Sequence, residues 1–211
     1  MARTATAITR DGLIESLLNY QPLPPSGSEP KLLDAALELL EDEGLRNWTM
    51  DELASKAKVG RTTAYRHFAS RDEVITAALA YAIQQMLSRI SFEVANITDI
   101  TERITTAMVL GILEFRSSAL PALMMSDPDL MVPLLAASSG PLLVAARAQL
   151  ASMAAGINGD REPEIDLAIA ETLLRLAISL AQIPESVLLS PTGNHSLLRT
   201  VVGAVLGIHP R

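Results

Sequence analysis

Two short helices are written into this chain by their end signals. Thr49-Met50-Asp51-Glu52 has the form T-x-x-E, in which Thr49 caps the backbone N–H of Glu52 and Glu52 reaches back, so a helix starts at about Met50. Met50, Leu53, Ala54 and Ala57 give it an i, i+3, i+4, i+7 apolar face. It stops at Lys58-Val59-Gly60, where Gly60 is expected to permit the tight turn. A second helix is expected from about Arg61 to Phe68, with Ala64 and Phe68 on its buried side and Arg61, Thr62, Thr63, Tyr65 and Arg66 on the other. Ser70-Arg71-Asp72-Glu73 repeats the capping-box form, so a longer helix begins at about Arg71.

The same stretch has an unusual charge. Leu53 to Arg71 contains no acidic side chain although the chain carries a net charge of −7. It concentrates Lys56, Lys58, Arg61, Arg66 and Arg71 beside His67, Thr62, Thr63 and Tyr65. Cations, hydroxyl donors and one flat ring suit a phosphate backbone, and nucleic-acid affinity follows local clusters of charge, so an acidic whole-chain sum does not exclude DNA. A charge run alone is ordinarily a solvated helix face. Two short helices with a tight turn between them, the second exposing these groups, instead describe a helix-turn-helix with Arg61 to Phe68 as its recognition helix.

Ahead of the pair, Leu32, Leu33, Ala36, Leu39 and Leu40 give a third amphipathic helix, opened at Ser28 or Glu29 before Pro30 and closed by Gly44. A three-helix module thus spans about Ser28 to Phe68. Trp48 and Phe68 read as core anchors rather than base-stacking groups.

The segment Asp34 to Leu79, above all Val59-Gly-Arg-Thr-Thr-Ala-Tyr-Arg-His-Phe68 with Ser70-Arg71 after it, resembles the TetR (tetracycline-repressor-like) transcriptional regulators. The resemblance covers about a quarter of the chain. It implies that Thr49, Tyr65, His67 and Arg71 touch phosphates while Arg61, Thr62 and Thr63 face the major groove. Side-chain chemistry agrees, since Arg61 is the group best able to bond guanine O6 and N7 together, whereas hydroxyls and an imidazole serve positioning. Two positions depart from the family pattern: Gly60 stands where Ser or a similar cap is frequent, and Ala64 where Leu is. Beyond Leu79 the resemblance implies an all-helical domain for ligand binding and dimerisation.

The expected organisation is all-α: an extension over 1–27, the helix-turn-helix domain over 28–72 and the helical domain over 73–211. Gln21-Pro-Leu-Pro-Pro-Ser-Gly-Ser28 cannot continue a helix and reads as a linker. Arg3 and Arg10 ahead of it read either as a tail or as an arm for a minor groove. From Arg71 onward, helical segments are expected at roughly 71–95, 99–117, 119–125, 128–138, 141–156, 163–183 and 194–207, with no strand pattern and no internal repeat. A hydrophobic content of 49% is ample for a core, and the absence of cysteine excludes disulfides, thiol catalysis and thiolate metal sites. Met1 to Ile8 lacks the sustained apolar core of a targeting segment, and polar residues interrupt Pro133 to Ile157, so a cytoplasmic protein without a membrane span is expected.

Leu167, Ala170, Leu174, Ala177 and Ile178 line one face of the 163–183 segment, and Ile169, Leu173, Leu176 and Leu180 line another. Leu197 to Ile208 has the same character, with Val201, Val202, Val205 and Leu206. A helix apolar on two faces is buried on both, so these segments are expected to pair with a second copy in a homodimer that reads a palindromic operator in double-stranded DNA, with half-sites about 34–36 Å apart. The alternative is that both are plain core helices.

A Met- and Leu-rich set is the expected effector site, because flexible thioethers suit an adaptable apolar cavity: Met108, Ile112, Phe115, Leu123, Met124, Met125, Met131, Leu134 and Leu135, with Leu174. A Met stripe at helical spacing is usually core. Glu114, Arg116 and Arg147 are the charges nearby, and whichever arginine faces inward suits a carboxylate or phosphate head group. The expectation is a repressor released from DNA by a small, largely apolar ligand, with no cofactor or metal. The rivals are control by a protein partner and, from another class, an all-helical enzyme. Catalysis finds little support, since His67, His195 and His209 lack metal-ligand spacing and no Gly-rich phosphate loop is present.

Overall fold

The computed structural model describes residues 27–45, 47–118, 121, 141–154, 162–183, 185–189 and 195–208. These hold eight helices and no strand: α1 Glu29–Glu43, α2 Met50–Lys56, α3 Arg61–His67, α4 Arg71–Val94, α5 Ile100–Ser117, α6 Pro141–Ala154, α7 Pro163–Gln182 and α8 Ser196–Val205. The protein is therefore all-α, and the ends agree with the sequence signals to within a few residues. The expected segments 119–125, apart from residue 121, and 128–138, with Leu123, Met124, Met125, Met131, Leu134 and Leu135, lie outside the described residues, as do the extension up to residue 26 and His209. Two compact units divide at Gln84 and Gln85.

In the first unit, α1 packs on α2 and α2 on α3. Leu32, Leu33, Ala36, Leu39 and Leu40 of α1 are buried, as are Trp48, Leu53, Ala54, Ala64, Phe68, Val74, Ile75 and Ala78. Thr49 caps α2 as a complete capping box: its hydroxyl accepts from Glu52 N–H at 3.3 Å, and its own N–H donates to Glu52 Oε2 at 2.7 Å. The Ser70 box is closed differently. Ser70 Oγ accepts from Glu73 N–H at 3.2 Å, but Glu73 Oε2 takes its return bond from Ala69 N–H at 2.6 Å. The carboxylate therefore ties down the residue before the cap.

The turn between α2 and α3 corrects one expectation. Gly60 is extended (φ −70°, ψ 145°), and the left-handed residue is Lys58, with φ 54°. Val59 N–H donates to Ala54 O at 2.9 Å and Lys58 N–H to Ser55 O at 3.1 Å, the paired bonds of a Schellman ending with Lys58 where glycine is usual. The bonds to the freed carbonyls hold a lysine in a conformation that costs a non-glycine residue about 1–2 kcal/mol.

The second unit is built on α5, which packs against α7 and α8, while α7 also meets α8. Ile104, Met108, Ile112, Leu150, Ala154, Ala170, Leu173, Leu180, Leu198, Val202 and Leu206 form one buried cluster. A smaller cluster joins Ile90, Val94 and Ala107. Asp99 caps α5, accepting from Glu102 N–H at 2.7 Å, and Arg199 of α8 reaches both Asp99 (3.5 Å) and Glu102 (3.0 Å). At the other end of α5, Arg116 donates to the carbonyls of Leu180 (2.6 Å) and Ala181 (3.4 Å), which fixes α5 to the last turn of α7.

Candidate nucleic-acid interface and effector cleft

Helix α3 turns Ala64 inward at 0% exposure and leaves Arg61, Thr62, Tyr65 and Arg66 exposed, with Thr63 half-buried. The spacing i, i+1, i+4, i+5 is one helical face. Its N-terminus follows extended Gly60, whose side makes no capping bond, and the short Ala64 lets α3 sit close to its support. The face thus offers two guanidiniums, a hydroxyl and a phenol.

The free protein holds several of these groups in place. Arg61 Nε lies 2.9 Å from Asp51 Oδ1, and its guanidinium carbon sits 5.6 Å from the Tyr65 ring centroid. Arg71 donates to the Trp48 carbonyl at 3.2 Å and stacks over the indole at 5.9 Å. That places its charge beside Thr49, the next residue along the chain. His67 Nε2 is 2.9 Å from Ser28 Oγ, which links the end of α3 to the start of α1. Lys56 pairs with Asp42 (3.0 Å) and Glu38 (3.3 Å), and the Asp42 bond is the largest cause holding its ammonium above the usual lysine value. Lys56 is therefore neutralised within the fold.

Two cations that sequence reasoning did not place among the DNA contacts stand out. Arg66 and Lys58 are exposed and make no ion pair among the described residues. The signal was present for Arg66, because no acidic residue lies three or four positions away along the helix in either direction. For Lys58 it was not, because its exposure follows from the left-handed turn.

The expected effector residues are only partly brought together. Met108 and Ile112 are buried in the larger cluster and Leu174 packs against it. Phe115 and Arg116 are half-buried, with the Arg116 guanidinium occupied by the α7 carbonyls. Arg147 pairs with Glu171 at 2.9 Å and Arg89 with Glu114. Met124, Met131 and Leu135 fall outside the described residues. An open cleft of about 430 Å³ lies elsewhere in this unit. Ser91, Val94 and Ala95 border it from the end of α4, Arg103 from α5, and Gln149, Ser152 and Met153 from α6. None of the expected effector residues lines it. Among the described residues no cluster of His, Asp or Glu has metal-ligand geometry, and no helix is long and apolar enough to cross a membrane.

An all-helical chain with a capped two-helix turn and one exposed basic helix face is a helix-turn-helix protein. Residues 32–78 match the family model described as bacterial regulatory proteins, tetR family. Residues 32–78 thus form a DNA-binding module of the tetR type. The chain is 35% identical over 65 residues to an uncharacterized HTH-type transcriptional regulator of Mycobacterium tuberculosis, covering 31% of this chain and 32% of that one. It is 31% identical over 86 residues to the HTH-type transcriptional activator FasR of Mycolicibacterium smegmatis, covering 41% and 39%. The chain thus spans about a third of the length of the curated relatives it matches. The fold continues further: the crystal structure of the TetR family repressor AlkX from a Dietzia strain superposes with a TM-score of 0.62 at 21% identity, over 84% of this chain and 96% of that one.

Proposed function

We propose that the protein is a sequence-specific DNA-binding transcriptional regulator that acts as a homodimer on a palindromic operator and is released by a small ligand held in its helical second unit. The exposed face of α3 carries this reading, since Arg61, Thr62, Tyr65 and Arg66 stand together on one helix inside the segment that matches the family model. Arg61 and Thr62 face the major groove with Thr63 behind them. Thr49, Tyr65, His67 and Arg71 position the module on phosphates, with Arg66 and Lys58 as further cations.

A second copy is favoured by apolar side chains left uncovered on α7 and α8. Leu167 and Leu197 are 45% and 56% exposed, and Leu174, Ile178, Val201 and Val205 are half-buried at matching helical positions. Large apolar residues on two packed helices suit an isologous four-helix contact. Two recognition helices then read two half-sites. Control by a ligand requires that it bind the released state more tightly than the DNA-bound state, by a few kcal/mol for a nearly complete switch.

The test is selection from random duplexes with the purified chain, with the mass of the complex recorded alongside. A palindromic consensus bound by one or two dimers supports the reading. Enrichment of no sequence, with only salt-sensitive background binding, overturns it.

A further inference from the structure

We infer that the cleft between the end of α4, α5 and α6 is the effector site, and that it takes a small organic monoanion with an apolar tail, its carboxylate held by Arg103. This rests on the ligand-controlled reading proposed above and names the chemistry of that ligand. The cleft's volume of about 430 Å³ lies within the range of about 300–1,000 Å³ typical of small-molecule sites. Its wall carries one cation and no carboxylate.

The cation is uncommitted. Arg103 Nε is buried and has no hydrogen-bond partner among the described residues, and no ion pair engages its guanidinium there. The contrast with its neighbours is sharp: Arg89, Arg116, Arg147, Arg175 and Arg199 in the same unit all meet a carboxylate or a helix-end carbonyl. A buried guanidinium N–H without an acceptor is costly, so a planar anion able to take two N–H bonds is the natural complement. The acids nearest along α5, Asp99 and Glu102, are turned to Arg199 and do not supply it.

The remaining polar groups are donors suited to the same head group. Gln149 Nε2 makes only a long 3.5 Å bond to Leu87 O, which leaves its second N–H free. Ser152 is exposed and unpaired among the described residues. Ser91 has given its hydrogen to Leu87 O at 2.8 Å and acts as wall. Beneath them, Val94 and Met153 belong to the apolar cluster of Ile90 and Ala107, which offers a floor for a hydrocarbon tail and nothing for a second charge. The arrangement selects a monoanionic amphiphile over a neutral or cationic one of equal length.

Octanoate, 1-octanol and octylamine serve as probes for thermal-shift and calorimetric titration of the full chain. Octanoate is expected to bind and raise Tm with concentration, and the other two to bind at least about tenfold more weakly. Arg103→Gln should weaken octanoate about tenfold or more while leaving the ligand-free Tm near that of the parent, and Arg103→Lys should restore part of the loss. Ser152→Tyr, which fills the cleft from its rim, should abolish binding independently of charge. Absence of octanoate binding, or binding unchanged in Arg103→Gln and Ser152→Tyr, overturns the assignment. Release of the selected operator is scored separately. Octanoate bound through Arg103 without release upholds the cleft and sinks the effector reading, whereas release that persists in Arg103→Gln does the reverse.

Discussion

Arg61 Nε and Asp51 Oδ1 are 2.9 Å apart, so the best candidate for reading a base is held in the free protein by an acid from the preceding helix. Both side chains are more than half exposed, at 68% and 55%, and an ion pair of that kind contributes about 0–1 kcal/mol. It orients Arg61 without locking it, and a guanine edge can replace the carboxylate at little cost.

Arg61→Ala is therefore expected to relax preference at one base pair by about 1–3 kcal/mol while changing stability by no more than about 0.5 kcal/mol. Asp51→Asn should tighten binding to all sequences, because it frees Arg61 and removes a negative charge from the phosphate side. Selection and fluorescence anisotropy check both, and sequence preference unaltered in Arg61→Ala would show the assigned recognition face to be wrong.

Arg71 and Tyr65 should behave differently. Arg71 stacks on Trp48 and donates to its carbonyl, so it presents charge from a fixed point rather than reading bases. Tyr65→Phe combined with Arg71→Ala is expected to weaken binding to specific and random DNA alike and to lower the salt slope by about 1. Titrations at several salt concentrations measure it.

The caps make a stability test of the module itself. Thr49→Ala removes the hydroxyl half of the α2 capping box, leaving the backbone N–H bond to Glu52, and should cost about 1 kcal/mol in urea unfolding. Gly60→Ser should stabilise by a few tenths of a kcal/mol, because Gly60 is already extended and an added Cβ meets nothing closer than Thr63 Oγ1 at 3.8 Å.

Acid should weaken the fold through two carboxylates. The Glu102 N–H, then Arg199, holds the Asp99 carboxyl below the usual range, and Arg147, then Arg175, does so for Glu171. A lowered folded-state pKa contributes stability above the unfolded value of about 4 that is lost as pH falls through the folded value. Lys56, raised chiefly by Asp42, has the opposite sign: its contribution is present below about pH 10.4 and is lost as pH rises beyond the folded value. Thermal melts should thus decline below about pH 4, and Asp99→Asn should flatten part of that decline.

Leu167→Asp with Leu197→Asp should give a monomer by sedimentation and reduce operator affinity steeply, because only half of the phosphate contacts remain on one chain. A variant still dimeric would move the interface off α7 and α8.

The helices were legible because their signals are local. The capping box at Thr49, the Ser70 cap, Pro30 near the start of α1 and Gly44 at its end act within four residues, and only the return bond of Glu73, taken by Ala69, departs from the spacing. The turn was misread at Gly60 because composition favours glycine for positive φ, whereas the Schellman bonds from Lys58 and Val59 decide which residue carries it. Met108, Ile112 and Leu174 were read from a periodic stripe, and a stripe distinguishes a buried face from an exposed one but not a solid core from a cavity wall.

Local chemistry in the chain alone thus determined an all-helical protein with a capped helix followed by a basic one to present. The tertiary structure alone decided which charges are free. Lys56, Arg61 and Arg116 found partners from other segments, while Arg103 makes no ion pair among the described residues and faces a cleft to which α6 contributes from more than forty residues further along the chain. Pairing depends on distance in space, and helical periodicity carries no information about which helix will lie opposite.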